Sequence, residues 1–368
     1  MKRYDALSLF SGGLDSVLAA RTLMDQGLSV LCLHLVSPFF GKPGRLPHWR
    51  ETFGLDIAAV DAGEDMVRLL RQGPPHGLGK FLNPCIDCKI LMIERAMALL
   101  PEYGARFVAT GEVVGQRPMS QRLDALNVIR RDSGARDVLL RPLCAKRLPE
   151  TPMEQSGLVD RSRLHAMGGR GRREQLELAA RMGLPEIPTP AGGCMLTELE
   201  SARRYFPVFA HKPDPLAADF ELANIGRQYW AGNLWLTIGR NQSDNSRLEA
   251  AIAAHDLVFK VRDHPGPLAL ARRLPDAIWD EAAMRDAAAF VASFSPRARA
   301  AGRETAVSVG GAVQSPVWVV PARQTPLGWK EPSWNEAAQG KAAVFGSRRE
   351  RGGPLSRAGD RVSPSRFV

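Results

Sequence analysis

The chain has 368 residues, 45% of them hydrophobic, with a formal charge of +10 at neutral pH. That length allows a large core and favours two or three domains. No apolar run is long enough to span a bilayer and no signal-peptide pattern opens the chain, so a cytoplasmic protein with no membrane partner is expected. Five cysteines, an odd number, argue against a disulfide framework and direct attention to metal or redox chemistry.

Residues 4–10 read as a short buried strand and 17–26 as a helix that stops at Gly27. Between them lies Ser11-Gly12-Gly13-Leu14-Asp15-Ser16, a glycine turn from a strand into a helix N-terminus. That geometry binds phosphate, because bare backbone N–H groups and the helix dipole face the anion. Ser11 and Ser16 add hydroxyls. A carboxylate at Asp15 repels phosphate unless a metal ion bridges the two. The pattern is neither a Walker loop nor Gly-x-Gly-x-x-Gly. It resembles the PP-loop of the N-type ATP pyrophosphatases. That resemblance implies ATP held with Mg²⁺ by Ser11, Gly12, Gly13, Leu14, Asp15 and Ser16, cleavage between the α- and β-phosphates, and an adenylated substrate.

Residues 28–36 form the expected second strand, 46–53 a short helix, 55–61 a third strand and 65–71 a helix. A glycine- and proline-containing loop over 72–82 follows, then a helix over 86–100 and a strand over 106–111. Strands alternating with helices predict an α/β, doubly wound parallel sheet, whose ligands sit outside the carboxyl ends of the strands. Ser11 to Ser16, His34 and Gly111 fall at those ends, so His34 is a candidate nucleotide contact as well as a candidate core histidine. Gly111-Glu112-Val113-Val114-Gly115-Gln116 resembles the Gly-x-Ser-x-Gly-Gln segment of tRNA 4-thiouridine synthetases, with Glu112 and Val113 as departures. Ser120-Gln121, Arg141-Pro142-Leu143 and a helix over 171–182 ending at Gly183-Leu184 continue that likeness. It adds Gly111 and Gln116 to the ATP-binding set.

Cys85-Ile86-Asp87-Cys88 opens a helix, a position that favours thiolate. Cys194 follows in the glycine-flanked segment 190–194, where tRNA 2-thiouridine synthetases carry a cysteine in a similar setting. Two readings stand. Cys85 and Cys194 act as catalytic nucleophile and persulfide carrier, or Cys85, Cys88 and Cys194 hold three irons of a [4Fe–4S] cluster whose fourth iron is open to sulfide. A structural zinc site would need a fourth ligand, and none stands at zinc spacing. Cys32 reads as a buried small hydrophobe, and Cys144 has no partner in sequence.

Three prolines between 207 and 215 suggest a linker. Gly239-Arg240-Asn241, Asn245, Asp256, Phe259-Lys260 and Pro265-Gly266 resemble the NFACT-R domain, a small α+β module associated with RNA. That family's His and Ser positions are Lys260 and Pro267 here. Arg240, Asn241, Lys260 and Arg262 are the candidate RNA contacts, with Lys260 and Arg262 sharing one strand face at period two. The expected organisation is a PP-loop domain over 1–205, a linker over 206–214, the RNA module over 215–295 and a basic, low-complexity and disordered tail over 296–368. The resemblances imply ATP-dependent thiolation of tRNA, with a sulfur donor, sulfide or a persulfide carrier, as second partner.

Overall fold

The computed structural model describes residues 3–188, 193–311 and 314–345. The chain divides into two compact units that meet between Glu198 and Leu199. No helix among the described residues is long and apolar enough to cross a membrane.

The first unit runs β1 (Ala6–Leu9), α1 (Leu14–Met24), β2 (Val30–Val36), α2 (Leu46–Phe53), β3 (Asp56–Asp61), α3 (Gly63–Gln72), α4 (Cys85–Tyr103), β4 (Phe107–Thr110), α5 (Leu123–Asp132), β5 (Leu139–Leu140), α6 (Pro152–Gln155) and α7 (Arg173–Arg181). All five strands are parallel, in the order β3-β2-β1-β4-β5. β1 and β4 are fully buried, as their continuous apolar runs require of a sheet covered on both faces. One face packs Ala6, Val17, Ala20, Phe53 and Phe107, and the other Leu7, Leu31, Leu33, Ile93 and Val108. The strand order reverses between β1 and β4, the switch point where sheets of this kind bind ligands.

The second unit contains α8 (Leu199–His211), α9 (Ala217–Ala223), β6 (Arg227–Ala231), β7 (Leu234–Ile238), α10 (Gln242–Ala250), β8 (Leu257–Val261), β9 (Leu268–Arg272), α11 (Glu281–Ala292), α12 (Pro296–Ala301), β10 (Thr305–Gly310), β11 (Gln314–Val319) and α13 (Trp334–Phe345). Its six strands form an antiparallel sheet in the order β11-β10-β8-β9-β7-β6. Phe259, Leu236 and Val307 of the sheet share a core with Ala287, Phe290 and Val291 of α11.

Three expectations change here. The supposed linker over 206–214 begins inside α8, which runs through Pro207 to His211. A proline in a helix removes one hydrogen bond, but the buried stripe Tyr205, Val208 and Phe209 holds the helix against its neighbour, with the Phe209 ring 4.6 Å from Phe220. Second, the expected tail from 296 is structured as far as Phe345. β10 pairs with β8 along Val307–Gly310, so the sheet extends past the module expected to end at 295. The part of that tail over 346–368, expected to be disordered, lies outside the described residues. Third, Asn241, a candidate RNA contact, is the N-cap of α10, where its side chain accepts the Asp244 N–H at 2.9 Å.

Asp256, matched above to an RNA-associated module, has a structural task. Arg272 reaches Asp219 at 2.8 Å and Asp256 at 2.9 Å, all three side chains being at most 9% exposed. Removing one partner of a buried ion pair costs about 3–5 kcal/mol. Arg272→Met should therefore lower the urea midpoint of the second unit, and removing one stranded carboxylate as well (Asp256→Leu) should restore part of it. Tryptophan fluorescence reads this directly, since only Trp49 lies outside that unit.

Candidate nucleotide and thiol site

β1 ends in the turn that carries the glycines. Gly12 has φ +77°, and a Cβ there would lie 2.2 Å from Trp49 Cζ2. Only glycine satisfies both the left-handed backbone and the tryptophan wall. Gly13, in extended conformation, is the N-cap of α1. The Ser16 hydroxyl donates to the Gly13 carbonyl at 2.7 Å and accepts the Ser11 N–H at 3.3 Å, so it closes the loop on itself. Gly111, just past β4, approaches from the other side of the switch point. A Cβ on it would lie 2.5 Å from the Asp15 carbonyl oxygen, so its task is close backbone approach.

His34 lies within β2 and is almost fully buried. The Lys42 N–H donates to its Nε2 at 2.8 Å. Nε2 is thus the unprotonated nitrogen, and Nδ1–H donates to the Phe10 carbonyl at 3.0 Å. Burial lowers the pKa of the ring, which agrees with the neutral form. Both nitrogens are engaged, so His34 braces the loop and leaves no nitrogen for a nucleotide.

Gln116 donates to Asp15 Oδ2 at 3.0 Å. Asp15 Oδ1 and Gln116 Oε1 are buried with no hydrogen-bond partner among the described residues. Burial raises the Asp15 pKa, opposed by the Gln116 hydrogen bond and then by the charges of Arg172 and Arg117. An unpartnered carboxylate oxygen beside a phosphate-type loop fits a Mg²⁺ ligand. Arg117 and Arg172 escaped the sequence reading; the Gly-Arg alternation at 168–173 was the available signal. The two departures of the 111–116 segment also find their reasons. Glu112 is buried against Arg141 of Arg-Pro-Leu at 3.0 Å, and Arg141 holds its carboxyl down against the desolvation that pushes it up. Val113 is fully buried among Leu14, Leu18 and Leu143. The Cys144 thiol donates to the Glu112 carbonyl at 3.1 Å, which assigns it to packing, and Cys32 is buried in the sheet core as expected.

Cys85 is the first residue of α4, and Cys88 lies one turn on. Asn83 joins the thiol segment to the nucleotide side, its amide donating to Cys85 Sγ at 3.2 Å and Met119 Sδ at 3.4 Å. Cys194 is fastened nearby: the Met195 N–H donates to the Phe39 carbonyl at 2.8 Å and the Leu82 N–H to the Leu196 carbonyl at 3.2 Å. Residues 190–192 of the predicted glycine segment lie outside the described residues. Burial pushes Cys88 up, with Cys194 and Cys85 adding to the rise. Burial also pushes Cys194 up to about 11, again with a contribution from Cys85. The helix N-terminus does not make Cys88 a thiolate here, because desolvation outweighs it. Among the described residues no three His, Cys, Asp or Glu side chains could hold a single metal ion. A [4Fe–4S] cluster spreads its cysteines over separate irons, and three neighbouring thiols are the right donor chemistry for it.

Of the candidate RNA contacts, Lys260 is exposed on β8, whereas Arg262, also exposed, lies just past the end of the strand, which stops at Val261. Arg240 pairs with Asp244 at 2.7 Å, and the Asn241 side chain is spent on the helix cap.

No protein-family model matches the sequence. A probable tRNA sulfurtransferase from Thermococcus kodakarensis is 27% identical over 147 residues, which are 37% of this chain and 36% of that protein, so the match spans about a third of the relative's length. A solved U34-tRNA thiolase NcsA from Methanococcus maripaludis with its [4Fe–4S] cluster is 14% identical, covering 52% of this chain and 62% of that one, with a TM-score of 0.28. The C-terminal part of a fibronectin/fibrinogen-binding protein from Streptococcus suis is 19% identical, covering 27% of this chain and 46% of that one, with a TM-score of 0.23. Both structural likenesses are too loose to bear on the chemistry.

The raised pKa of Asp15 has a consequence for stability. The folded state holds the Asp15 proton more tightly than the unfolded chain, so stability from this group is present below the unfolded value of 3.8 and is lost as pH rises through the raised folded value. Asp15→Asn should therefore raise the Tm relative to wild type at neutral pH, and the difference should shrink towards pH 4. Thermal unfolding at a series of pH values checks this. An unchanged or lower Tm at neutral pH would mean that Asp15 is not a strained carboxylate.

Proposed function

We propose that the N-terminal unit of this chain is a PP-loop domain of the tRNA thiolase family and that the chain is an ATP-dependent tRNA thiouridine synthase. The observation that carries the reading is the joining of the thiol segments to the loops around Asp15. Asn83 links Cys85 to Met119, three residues after the glutamine that holds Asp15, and Met195 is bonded to Phe39 in the loop after β2. Neither a small-molecule ligase nor a non-catalytic RNA-binding protein calls for three converging thiols beside an intact Ser-Gly-Gly-x-Asp-Ser loop.

In this reading the triphosphate lies against the Gly12–Gly13 backbone and the N-terminus of α1. Arg117 and Arg172 offset its charge. Asp15 Oδ1 would hold Mg²⁺, which supplies charge neutralisation between carboxylate and phosphate. A uridine carbonyl oxygen attacks the α-phosphorus, and the bond to the β-phosphate breaks with release of pyrophosphate. Sulfide then adds at the activated carbon and the oxygen departs with AMP; where a persulfide carrier is the donor, its outer sulfur adds instead, and a second cysteine thiolate attacks the carrier sulfur, so that the S–S bond breaks, the thiouridine is released and the two cysteines are left as a disulfide. Cys85, Cys88 and Cys194 would ligate a [4Fe–4S] cluster, which supplies an open iron for a sulfur ligand. Cysteine thiols suit this role, since metal binding itself removes their protons. The second unit supplies RNA contacts through Arg240, Lys260 and Arg262.

The test is nucleoside mass spectrometry of tRNA incubated anaerobically with reconstituted protein, ATP, Mg²⁺ and sulfide. Thiouridine should form with one pyrophosphate per thiolation. Asp15→Ala should cut pyrophosphate release by about two orders of magnitude or more. Single Cys85→Ala, Cys88→Ala and Cys194→Ala changes should each abolish thiolation and lower bound iron, whereas Cys32→Ala and Cys144→Ala should do neither. Full activity in Cys88→Ala without iron would replace the cluster by a persulfide relay between Cys85 and Cys194. Absence of tRNA-dependent pyrophosphate release would overturn the reading as a whole.

A further inference from the structure

The second unit contains an arginine-lined pocket that the sequence resemblance does not mention. Arg203 and Arg204 of α8, Gly226 in the turn before β6, Arg227 and Gln228 at the start of β6, Arg240 ahead of α10, and Glu331-Pro332 meet around it. Four guanidinium groups from three separate segments face one carboxylate in the lining. The open space is about 40 Å³, more than a single water needs, which leaves room for a small polar group among the arginines.

The partners of these arginines are unequal. Arg203 is bonded to Glu200 at 2.8 Å and the Pro332 carbonyl at 3.1 Å, with Glu331 at 3.5 Å. Arg240 is held by Asp244. Arg227 lies over the Phe294 ring, 5.5 Å from its centroid. Arg204 is half-buried yet has no carboxylate at ion-pair distance among the described residues. Its Nη1 reaches only the carbonyls of Gly226 at 3.3 Å and Ala223 at 3.5 Å. Burial works against its charge, and the charges of Arg240 and then Arg203 add to that. Glu200 and Glu331 offset this only in part and from beyond ion-pair distance, so the guanidinium, which keeps its proton, has no counter-charge in contact with it among the described residues. Gly226 has φ +57°, and a Cβ on it would lie 2.3 Å from the Ile238 carbonyl oxygen. The turn that presents its carbonyl to Arg204 is therefore fixed as glycine.

We propose that this pocket binds a phosphate group of an RNA strand, with Arg204 and Arg227 as its principal donors and Arg203 and Arg240 as the surrounding charge. Arginine forks match phosphate oxygens in pairs, and the anion supplies the counter-charge that Arg204 lacks. The RNA assignment rests on the reading of the second unit as an RNA-binding module, and the experiment separates the two.

Binding of tRNA to the full chain is measured between 50 and 200 mM salt for wild type, Arg204→Gln, Arg227→Gln and the double variant Lys260→Gln/Arg262→Gln. Arg227 is partly exposed, so its variant remains informative if Arg204→Gln fails to fold. The pocket variants should each weaken tRNA binding by about ten-fold and lower the salt slope by about one phosphate contact. A second arm follows Tm against inorganic phosphate. If the pocket variants bind tRNA like wild type while the Lys260/Arg262 variant is weakened, the module binds RNA and the RNA assignment of the pocket is overturned. If no variant alters tRNA binding but phosphate raises the wild-type Tm and not that of Arg227→Gln, the pocket holds a free anion, which likewise overturns the RNA assignment. If wild type binds no tRNA, both the module reading and the RNA assignment fail.

Discussion

The backbone after β4 presses on the backbone of the nucleotide loop, and much of the first unit depends on that contact. A side chain at Gly111 would collide with the Asp15 carbonyl and the Ser16 N–H. This closeness is available only because β1 and β4 are neighbours in a parallel sheet and end at the same level, with Leu9 opposite Thr110. The chain leaving β4 then delivers Gln116 to Asp15. It also carries Val114, whose carbonyl accepts the Gly169 N–H at 2.8 Å and so ties in the loop that leads to Arg172. Two segments distant in sequence from the loop, 111–116 and 169–172, are thus brought to one carboxylate.

Charge placement divides the buried acids into two kinds. Glu112 with Arg141, and Asp219 and Asp256 with Arg272, are paired and serve the fold. Asp15 has one oxygen satisfied by a neutral amide and the other by nothing. Its neighbours Arg117 and Arg172 act at a distance. Local rules of polar satisfaction are broken where a ligand would complete them, and that pattern is the physical signature of a functional site.

Four strands of the parallel sheet were legible because each is a mostly apolar run bounded by glycine, proline or a charged turn; β5, only two residues long, was not. The nucleotide loop was legible because few other tasks require two glycines, a carboxylate and two hydroxyls between a strand and a helix. What remained hidden depends on distant partners. The link from Glu112 to Arg141 crosses twenty-nine residues, and no periodicity reports it. Pro207 reads locally as a break, yet Tyr205 and Phe209 of the helix that contains it pack on Phe220. α5 went unread because Leu123–Asp132 mixes charged and apolar residues and starts without a side-chain cap. β10 was obscured by its surroundings of arginine, glycine and serine, although Ala306, Val307 and Val309 are buried. His34 was ambiguous in sequence because a ligand and a brace call for the same residue type in the same place; only the Lys42 N–H on its second nitrogen decides between them.

The wall behind the nucleotide loop is built from near neighbours. Phe10, Gly12, His34, Lys42 and Trp49 all lie within the first βαβα segment, and their contacts need nothing downstream. Contacts of short sequence separation form early and survive locally, and a chain emerging from the ribosome presents this segment first. The thiols are different. Cys85 and Cys88 wait for Cys194, more than a hundred residues later, and that last strand of chain is fastened back by Leu196 onto Leu82. The phosphate cradle therefore takes shape while synthesis is under way, whereas the sulfur centre closes only when the whole first unit has been made. If the proposed function holds, iron or sulfur would be loaded only into a finished domain.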